Sequence, residues 1–314
     1  MNQNFPNTSM NLIITAGSTY LDIDAYACCV AMAELLQLQG QKAIAYSTAP
    51  CNYSVCKSLT TEAPVEKNIP VDIDAENTGY IIVDVSDPEF LKKSVPLEKV
   101  VAVYDHHVGF EEYWQSRIGE QARIEFIGAA ATLIFRQWKK AGLEKQMAHS
   151  TARLLIAAIL DNTLNLTSSN TTREDIDAFN ELCAHANVDE GWCAGYFSEV
   201  QKNVEADLKN ALFNDLKNVR DNPVLPPLVA QLCIWDAGSI WEKLSQIRQW
   251  FAEFSDSWMI NVIDLKNGCS WFVCDYAVYQ KKIESVFQIQ FDSGIAQLPK
   301  SYLRKEIIKK TKSI

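Results

Sequence analysis

The sequence has no apolar run long enough to cross a membrane. A membrane helix requires roughly 18 to 20 predominantly apolar residues, and polar or charged residues interrupt every apolar stretch before that length. The first residues, Met1-Asn2-Gln3-Asn4, have neither the basic region nor the apolar core of a signal peptide. We therefore expect a cytoplasmic protein without a membrane partner.

The sequence also lacks a Cys-x-x-Cys pair, although it contains nine cysteines. An odd number of cysteines without paired spacing is typical of reduced thiols in a cytoplasm rather than of a disulfide framework. The adjacent Cys28 and Cys29 lie in an apolar helical pattern. We expect them to be small buried residues of the first helix.

An excess of positive charge is absent as well. The 29 Lys and Arg residues are outnumbered by 39 Asp and Glu residues, which gives a net charge of −10. A protein that neutralises many nucleic-acid phosphates normally has a basic face. The charge balance therefore argues against a nucleic acid polymer as partner and favours a small substrate. The length of 314 residues and the hydrophobic content of 48% suggest two domains with sizeable cores.

Histidine is scarce, and two of the four histidines are adjacent. The triplet Asp105-His106-His107 closes the apolar run 100–104. At the carboxyl end of a strand the chain can bend, so that both imidazoles point into one crevice. Such a pair suggests a metal site, although a lone histidine more often has a structural role.

Several carboxylates also follow apolar runs. They are Asp22 and Asp24 after the run 12–15, Asp84 after the run 80–83, and Asp161 after the run 154–160. Any one of them taken alone could instead be a helix N-cap or a turn residue. Together with an imidazole they suit Mn²⁺ or Mg²⁺ better than zinc. Two such cations can hold a bridging water and lower its pKa, which is the usual device for hydrolysing phosphate bonds.

Short apolar runs alternate with helical patterns from residue 11 to about residue 190. Helices are predicted over 25–39 and 130–141, and the alternation predicts a mostly parallel sheet whose strand ends carry the candidate ligands. After about residue 190 the pattern changes. A helix is predicted over 240–254, and strands are predicted over 228–235, 258–265, 269–276 and 286–291.

These motifs, in this order, resemble those of the DHH phosphoesterase superfamily. The matching segments cover roughly the first 170 residues and are Asp22-x-Asp24, the run ending in Asp84, Asp105-His106-His107, and Gly128-Ala129-Ala130-Ala131-Thr132. A fifth segment, residues 157–165 followed by 171–175, resembles the fifth motif of one branch of the superfamily. That branch contains manganese-dependent (family II) inorganic pyrophosphatases, exopolyphosphatases and prune-type proteins.

The resemblance implies a two-domain α/β architecture. A mostly parallel DHH domain would occupy residues 1–190, and a smaller mixed α/β domain of the DHHA2 type would occupy residues 195–314, with the active site in the cleft between them. In that branch the second domain supplies cations to the substrate phosphates, and the segments Asp215-Leu216-Lys217 and Arg304-Lys305 resemble the elements involved. The alternative is that Arg304 and Lys305 belong to an exposed basic helix.

The resemblance also implies a role for each candidate residue. One cation would be held by Asp22 and Asp84, and the other by Asp24, Asp84, His106 and Asp161, with Asp84 bridging the two. Asp105 is expected to orient His106. A metal-bridged hydroxide would attack a terminal phosphorus, and the charge on the phosphoryl oxygens would be offset by His107, Lys217 and Arg304.

Two positions depart from the pyrophosphatase pattern. Ser18 stands where the pyrophosphatases carry a histidine ligand, and Asn162 follows Asp161 where they carry a threonine. Exopolyphosphatase and prune-type members show similar changes. Because a hydroxyl is a poorer ligand than an imidazole for a transition metal, Ser18 favours Mg²⁺ over Mn²⁺ at the first site.

Three classes of function follow from the sequence. The first is a phosphohydrolase that cleaves phosphoanhydride bonds of polyphosphate, pyrophosphate or a similar small phosphate compound. The second is a phosphodiesterase that acts on a small nucleotide, and the third is a catalytically weakened binding or regulatory protein, which Ser18 and Asn162 suggest. The sequence leaves the oligomeric state unassigned.

Overall fold

The computed structural model describes residues 10–17, 20–69, 74 and 76–312, and it divides into two compact units, Met1–Cys193 and Ala194–Ile314. The described part of the first unit contains a parallel sheet with the strand order β2-β1-β3-β4-β5. Its strands are β1 (Asn11–Thr15), β2 (Lys42–Ala45), β3 (Thr78–Val83), β4 (Val100–Asp105) and β5 (Ala122–Ile124). The predicted α/β class and parallel sheet are confirmed.

The strand order creates a crevice at the candidate ligands. The chain passes from β1 outward to β2 and then returns to β3 on the other side of β1, with Ile14 opposite both Ala45 and Ile81. Neighbouring parallel strands whose connections leave in opposite directions open a crevice at their carboxyl ends. Asp22 and Asp24 follow β1, and Asp84 follows β3, so all three carboxylates lie at this edge of the sheet.

Helices of the first unit cover the sheet. They are α1 (Ile23–Leu38), α2 (Lys57–Thr60), α3 (Pro88–Leu91), α4 (Glu111–Ile118), α5 (Ala130–Ala141), α6 (His149–Asn162) and α7 (Arg173–Ala186). Helix α1 packs against both α5 and α6 and is buried over most of its length. Cys28 and Cys29 are fully buried in α1, as predicted.

The apolar run 154–160 forms helix, not strand. It lies inside α6, where every one of its residues is buried between α1 and α7. A helix buried on several sides shows no amphipathic period, so a short apolar run cannot be distinguished from a buried strand by pattern alone. Asp161 therefore lies in the last turn of a helix, and its predicted place at a strand end is wrong.

An unusual turn connects α6 to α7. Leu164, Asn165 and Leu166 are all left-handed, with φ of 51°, 57° and 63°. The left-handed region costs a non-glycine residue roughly 1 to 2 kcal/mol, so this turn is held by its surroundings. One support is the buried Thr163, whose hydroxyl donates to Ile159 O and accepts from Leu166 N.

The second unit contains a mixed sheet. Helix α8 (Glu190–Ala206) spans the division between the units, and α9 (Leu208–Asn214) follows it. The strands are β6 (Leu216–Asn218), β7 (Leu228–Ile234), β8 (Trp258–Asp264), β9 (Cys269–Val273) and β10 (Ile295–Leu298), in the order β10-β9-β8-β7-β6. The pair β7 and β8 is parallel, and the other neighbours are antiparallel.

Three further helices belong to the described part of this unit, namely α10 (Gly238–Phe254), α11 (Ala277–Phe287) and α12 (Arg304–Lys312). The predicted helix and the strands at 228–235, 258–265 and 269–276 match α10, β7, β8 and β9 within three residues. The strand predicted over 286–291 is wrong, because α11 runs to Phe287 and ends at the left-handed Gln288. Within the described ranges, none of the helices is long and apolar enough to span a bilayer.

Candidate metal centre

Three side chains at the ends of β3 and β4 form a potential metal-binding group. Asp84, His106 and His107 each offer a ligand atom, and these atoms lie within 4.8 Å of one another. Asp84 follows β3 directly, and the two histidines follow β4. Strand pairing places Val83 beside Tyr104, which brings the two strand ends together. The predicted convergence of Asp84 and His106 is thus present in the structure.

Asp84 is held in an unfavourable conformation. Its φ is 58°, in the left-handed region, and its backbone N–H donates to Tyr104 O at 2.8 Å. Its side chain is only 6% exposed, and Oδ1 is buried without accepting a hydrogen bond. Strained backbone and an unsatisfied buried acceptor are both costly, and both are common at functional sites.

His106 presents a lone pair to Asp84. Its Nδ1 lies 3.2 Å from Ile127 O, and a carbonyl can only accept, so Nδ1 carries the proton. In the neutral ring Nε2 is then an acceptor, and it lies 3.3 Å from the unsatisfied Oδ1 of Asp84. Two facing acceptors repel each other unless a proton or a cation lies with them. These two donor atoms therefore fit a divalent cation.

Asp24 approaches the same group from α1. It is fully buried, and its Oδ2 lies 4.0 Å from His106 Nε2. Its Oδ2 accepts from Ala130 N and its Oδ1 from Ala131 N, each at 2.8 Å. These N–H groups begin α5, whose N-cap residue Ala129 supplies no side-chain acceptor. Asp24 thus caps α5 from another helix while lying near the candidate ligands.

Electrostatic repulsion makes this carboxylate group receptive to a cation. Burial, opposed by His106, raises the pKa of Asp24 to about 6, and the carboxylate of Asp22 adds to the increase. Burial raises the pKa of Asp84 well above its usual value, and the neighbouring carboxylates of Asp24 and Asp22 raise it further. Ionised carboxylates packed this closely require positive charge, which a divalent cation supplies.

Asp105 orients His107 rather than His106. Its carboxylate is buried, and Oδ1 accepts from His107 N at 3.0 Å and from His107 Nδ1 at 2.9 Å. The predicted partnership of Asp105 with His106 is wrong, because Ile127 O takes that role. The hydrogen bond that His107 Nδ1 donates to Asp105 raises the pKa of His107. Burial acts to raise the pKa of Asp105, but its bonds with His107 lower it overall. The His107 side chain is 66% exposed.

Asp22 and Asp161 lie outside the group of three ligands. Asp22 is the N-cap of α1, and its Oδ1 accepts from Ala25 N at 2.9 Å. The alternative role of Asp22 as a helix N-cap is therefore present in the structure, and it uses one of the two carboxylate oxygens. Asp161 lies in the last turn of α6, one residue before Asn162. Ser18 lies outside the described residues.

The second unit holds the predicted phosphate-binding cations. The Arg304 side chain is 10% exposed, and its guanidinium bonds the backbone oxygen and carboxylate of Asp215 and also donates to Val229 O. Lys217 on β6 and Lys305 on α12 are exposed. In this arrangement Arg304 pairs with a carboxylate of its own unit, whereas the two lysines face solvent.

The sequence analysis identified residues 128–132 as a motif of the resemblance but missed how this segment supports the ligands. Residues 127–132 contact His106 through a backbone carbonyl and Asp24 through two backbone amides. Backbone groups carry no sequence signature, so these contacts have no direct signal. The buried Asp175, which binds this segment, does have one, because Thr172-x-x-Asp175 is the spacing of a capping box.

Comparison with known proteins gives sequence relatives along most of the chain. A probable manganese-dependent inorganic pyrophosphatase of Staphylococcus epidermidis is 24% identical over 297 residues, which cover 91% of this chain and 92% of the relative. Another, of Deinococcus radiodurans, is 26% identical over 316 residues and covers 91% and 93%. The chain matches no protein-family model.

A solved structure shares the fold. The crystal structure of a putative family II inorganic pyrophosphatase of Methanococcus jannaschii superimposes with a TM-score of 0.60 at 17% identity, covering 97% of this chain and 98% of that one. The predicted fold class is confirmed by this likeness. The sequence relatives confirm the predicted resemblance to the branch of the DHH phosphoesterases that contains manganese-dependent pyrophosphatases.

Proposed function

We propose, from the resemblance to manganese-dependent pyrophosphatases of the DHH superfamily, that this protein is a metal-dependent hydrolase. Its substrate is pyrophosphate, polyphosphate or a similar small phosphoanhydride compound. The observation that carries the proposal is the pair of facing acceptors, Asp84 Oδ1 and His106 Nε2, at 3.3 Å. Asp84 and His106 would hold a divalent cation, Mn²⁺ or Mg²⁺, through these two atoms, and a ring nitrogen of His107 lies within 4.8 Å of both.

The residues that would hold metal in this proposal are His106 and carboxylates. Asp84 and His106 form the centre, and Asp24 lies beside them with its carboxylate near His106 Nε2. Asp22 and Asp161 are the remaining carboxylates that the family pattern assigns to two metal positions. Bound divalent cations lower the pKa of water and neutralise phosphate oxygens, which is the chemistry that this hydrolysis needs.

His107 acts on the substrate in this proposal. Its ring is exposed, and Asp105 accepts from Nδ1 at 2.9 Å, which leaves the Nε2 side free. A buried carboxylate behind an imidazole stabilises the protonated ring. His107 can therefore present an N–H to a phosphoryl oxygen and offset charge that develops there.

Three cations of the second unit complete the proposed machinery. Lys217 and Lys305 are exposed and can meet substrate phosphates as point charges. Arg304 already donates to the Asp215 carboxylate, which would compete with substrate phosphate for the guanidinium. Arg304 thus has a defined resting partner.

The test is phosphate release by the purified protein. Pyrophosphate, tripolyphosphate, long polyphosphate and a linear dinucleotide are each supplied with Mg²⁺ or Mn²⁺. Asp84→Ala should abolish release, whereas Asp87→Asn should retain it, because Asp87 only caps the short helix α3 and asparagine caps equally well. Release that survives Asp84→Ala would contradict the assignment. Preference for the dinucleotide would replace the phosphoanhydride substrate with a phosphodiester.

The cellular setting belongs to the same proposal. None of the nine cysteines, all of which lie in the described part of the chain, forms a disulfide, which suits a reducing cytoplasm. The net charge of −10 favours a small phosphate substrate over a nucleic acid polymer, since no broad positive surface field would attract one.

A further inference from the structure

The segment 127–132 sets the position of two candidate ligands. Ile127 O receives the proton of His106 Nδ1 at 3.2 Å and so directs Nε2 toward Asp84. The amides of Ala130 and Ala131 each donate to Asp24 at 2.8 Å. If this segment moves, the imidazole and the carboxylate lose their orientation together.

A single buried carboxylate, that of Asp175, holds the segment from its other side. Asp175 Oδ2 accepts from Gly128 N at 2.9 Å, and Oδ1 accepts from the Thr132 hydroxyl at 2.6 Å. The same carboxylate accepts from Thr172 N and the Thr172 hydroxyl, both at 2.7 Å. Asp175 is fully buried and begins α7, so it ties the segment to a rigid helix end.

There is no free space at this junction. A Cβ on Gly128 would lie 2.6 Å from Asp175 Oδ2 and 2.7 Å from the Thr163 side chain. Thr163 precedes the left-handed turn 164–166 and is fixed by that turn. The segment is therefore clamped between α7 and the end of α6 at its glycine, with no slack for an alternative path.

Four donors on one buried carboxylate exceed what capping a helix requires. A capping box is completed by Thr172 and Asp175 alone. The two additional donors, Gly128 N and the Thr132 hydroxyl, lie 47 and 43 residues away in sequence. Burying a charge is costly unless hydrogen bonds compensate, and here the compensating donors belong to the segment that contacts the ligands.

We propose that Asp175 is a positioning residue of the metal centre, which sets the geometry of His106 and Asp24 through residues 127–132. The inference rests on the proposed function only for the identity of the metal. It assigns Asp175 no contact with substrate or metal. Outer partners of metal ligands typically change metal affinity or activity by about 10 to 100-fold when removed.

The main test compares Asp175→Asn with Asp177→Asn in the full chain. Asp177 is a half-exposed carboxylate on the same helix that pairs with Arg173. An asparagine at 175 turns an amide N–H₂ toward at least one of the four donors, which weakens the hold on residues 127–132. We therefore expect the dissociation constant for Mn²⁺, measured by calorimetry, to rise about 10-fold or more. The Asp177 variant should bind as wild type does.

A second pair of variants separates positioning from folding. Thr132→Val removes the hydroxyl that Asp175 accepts at 2.6 Å but keeps the shape of the side chain, and Thr132→Ser restores the hydroxyl. We expect weaker Mn²⁺ binding in the valine variant and recovery in the serine variant. If folded Asp175→Asn and Thr132→Val bind Mn²⁺ as tightly as wild type, the positioning role is overturned.

A spectroscopic readout keeps the test independent of hydrolysis. The ¹⁵N chemical shifts of the His106 ring, recorded without metal, report whether Nδ1 still carries the proton. We expect them to change in Asp175→Asn and not in Asp177→Asn. If the wild-type protein releases no phosphate or binds no Mn²⁺, the proposed function fails while these shifts still decide the role of Asp175: unchanged shifts overturn it, and changed shifts support it.

Discussion

Asp84 combines a strained backbone with a charge that its surroundings disfavour. Its φ of 58° and its buried, unsatisfied Oδ1 both cost stability. Burial raises its pKa well above the usual value, and nearby carboxylates raise it further. When a carboxyl has a higher pKa in the folded protein than in the unfolded chain, the protein loses stability as the pH rises from the unfolded pKa through the folded pKa. Without metal, this residue therefore destabilises the protein most at neutral and alkaline pH.

Asp84→Asn should accordingly stabilise the metal-free protein. Asparagine tolerates the left-handed region, carries no charge, and can donate to His106 Nε2. We expect a gain in the free energy of unfolding of about 1 to 3 kcal/mol at pH 8, which is the usual cost of an unsatisfied buried acceptor such as Asp84 Oδ1. The gain should be smaller at pH 5, where more of the Asp84 carboxyl is protonated. Urea unfolding in the presence of a chelator measures it, with Asp87→Asn as the control. A loss of stability at pH 8 would contradict the account.

In the second unit, a buried side chain links two segments that are far apart in sequence. Asn222 is buried, its Oδ1 accepts from Val224 N and Leu225 N at 3.0 Å, and its Nδ2 donates to the Thr311 hydroxyl at 2.8 Å. This one side chain therefore links the loop before β7 to α12, which carries Arg304 and Lys305.

Asn222→Ala should destabilise the protein by about 1 to 3 kcal/mol, because two buried N–H groups and a hydroxyl lose their partner. Asn218→Ala is the matched control, since Asn218 is exposed on β6 and its side chain accepts from Arg220 N at 3.2 Å. Thermal unfolding compares the two variants. Equal effects would show that Asn222 is not a structural link.

At the scale of elements, the left-handed turn between α6 and α7 stores strain. Asn165 lies in its middle with φ of 57°. Asn165→Gly should stabilise the protein by up to about 1 kcal/mol, because glycine adopts this region without penalty. The same replacement at Asn180, which is exposed inside α7, should destabilise slightly, since glycine is a poor helix former. Chemical denaturation measures the change in the free energy of unfolding for both variants. A destabilised Asn165→Gly variant would contradict strain at this position.

Elements were predictable from the sequence where local pattern decides them. Strands β1, β3 and β4 coincide with apolar runs, and α5 was predicted over the residues that it occupies. Helix α6 was not predictable, because burial on several sides removes the helical period. Asp84 and His106 were found because each directly follows a strand. The capping of α5 by Asp24 was not found, since it depends on how α1 and α5 meet in space. The partner of Asp105 is local but was also missed, because the sequence does not show which of two adjacent imidazoles turns toward the carboxylate.

At the scale of the whole molecule, the two units each have their own sheet, and Asp84, His106 and His107 all lie in the first unit. We expect Mn²⁺ to raise the unfolding temperature of the first unit specifically, because a ligand stabilises only the structure that binds it, by about 2.7 kcal/mol at 100 times the dissociation constant. Scanning calorimetry with and without Mn²⁺ measures this. An equal shift of all transitions would show that the units unfold as one.

The bonds to Asp175 also fix when the centre can be completed during synthesis. Asp24, Asp84, His106 and residues 127–131 leave the ribosome first, but the carboxylate that clamps Gly128 follows 47 residues after that glycine. At about 5 to 20 residues per second, this interval lasts roughly 2 to 9 seconds. The nascent chain thus passes through a stage in which every member of the acidic crevice at the sheet edge has been made while its outer support has not.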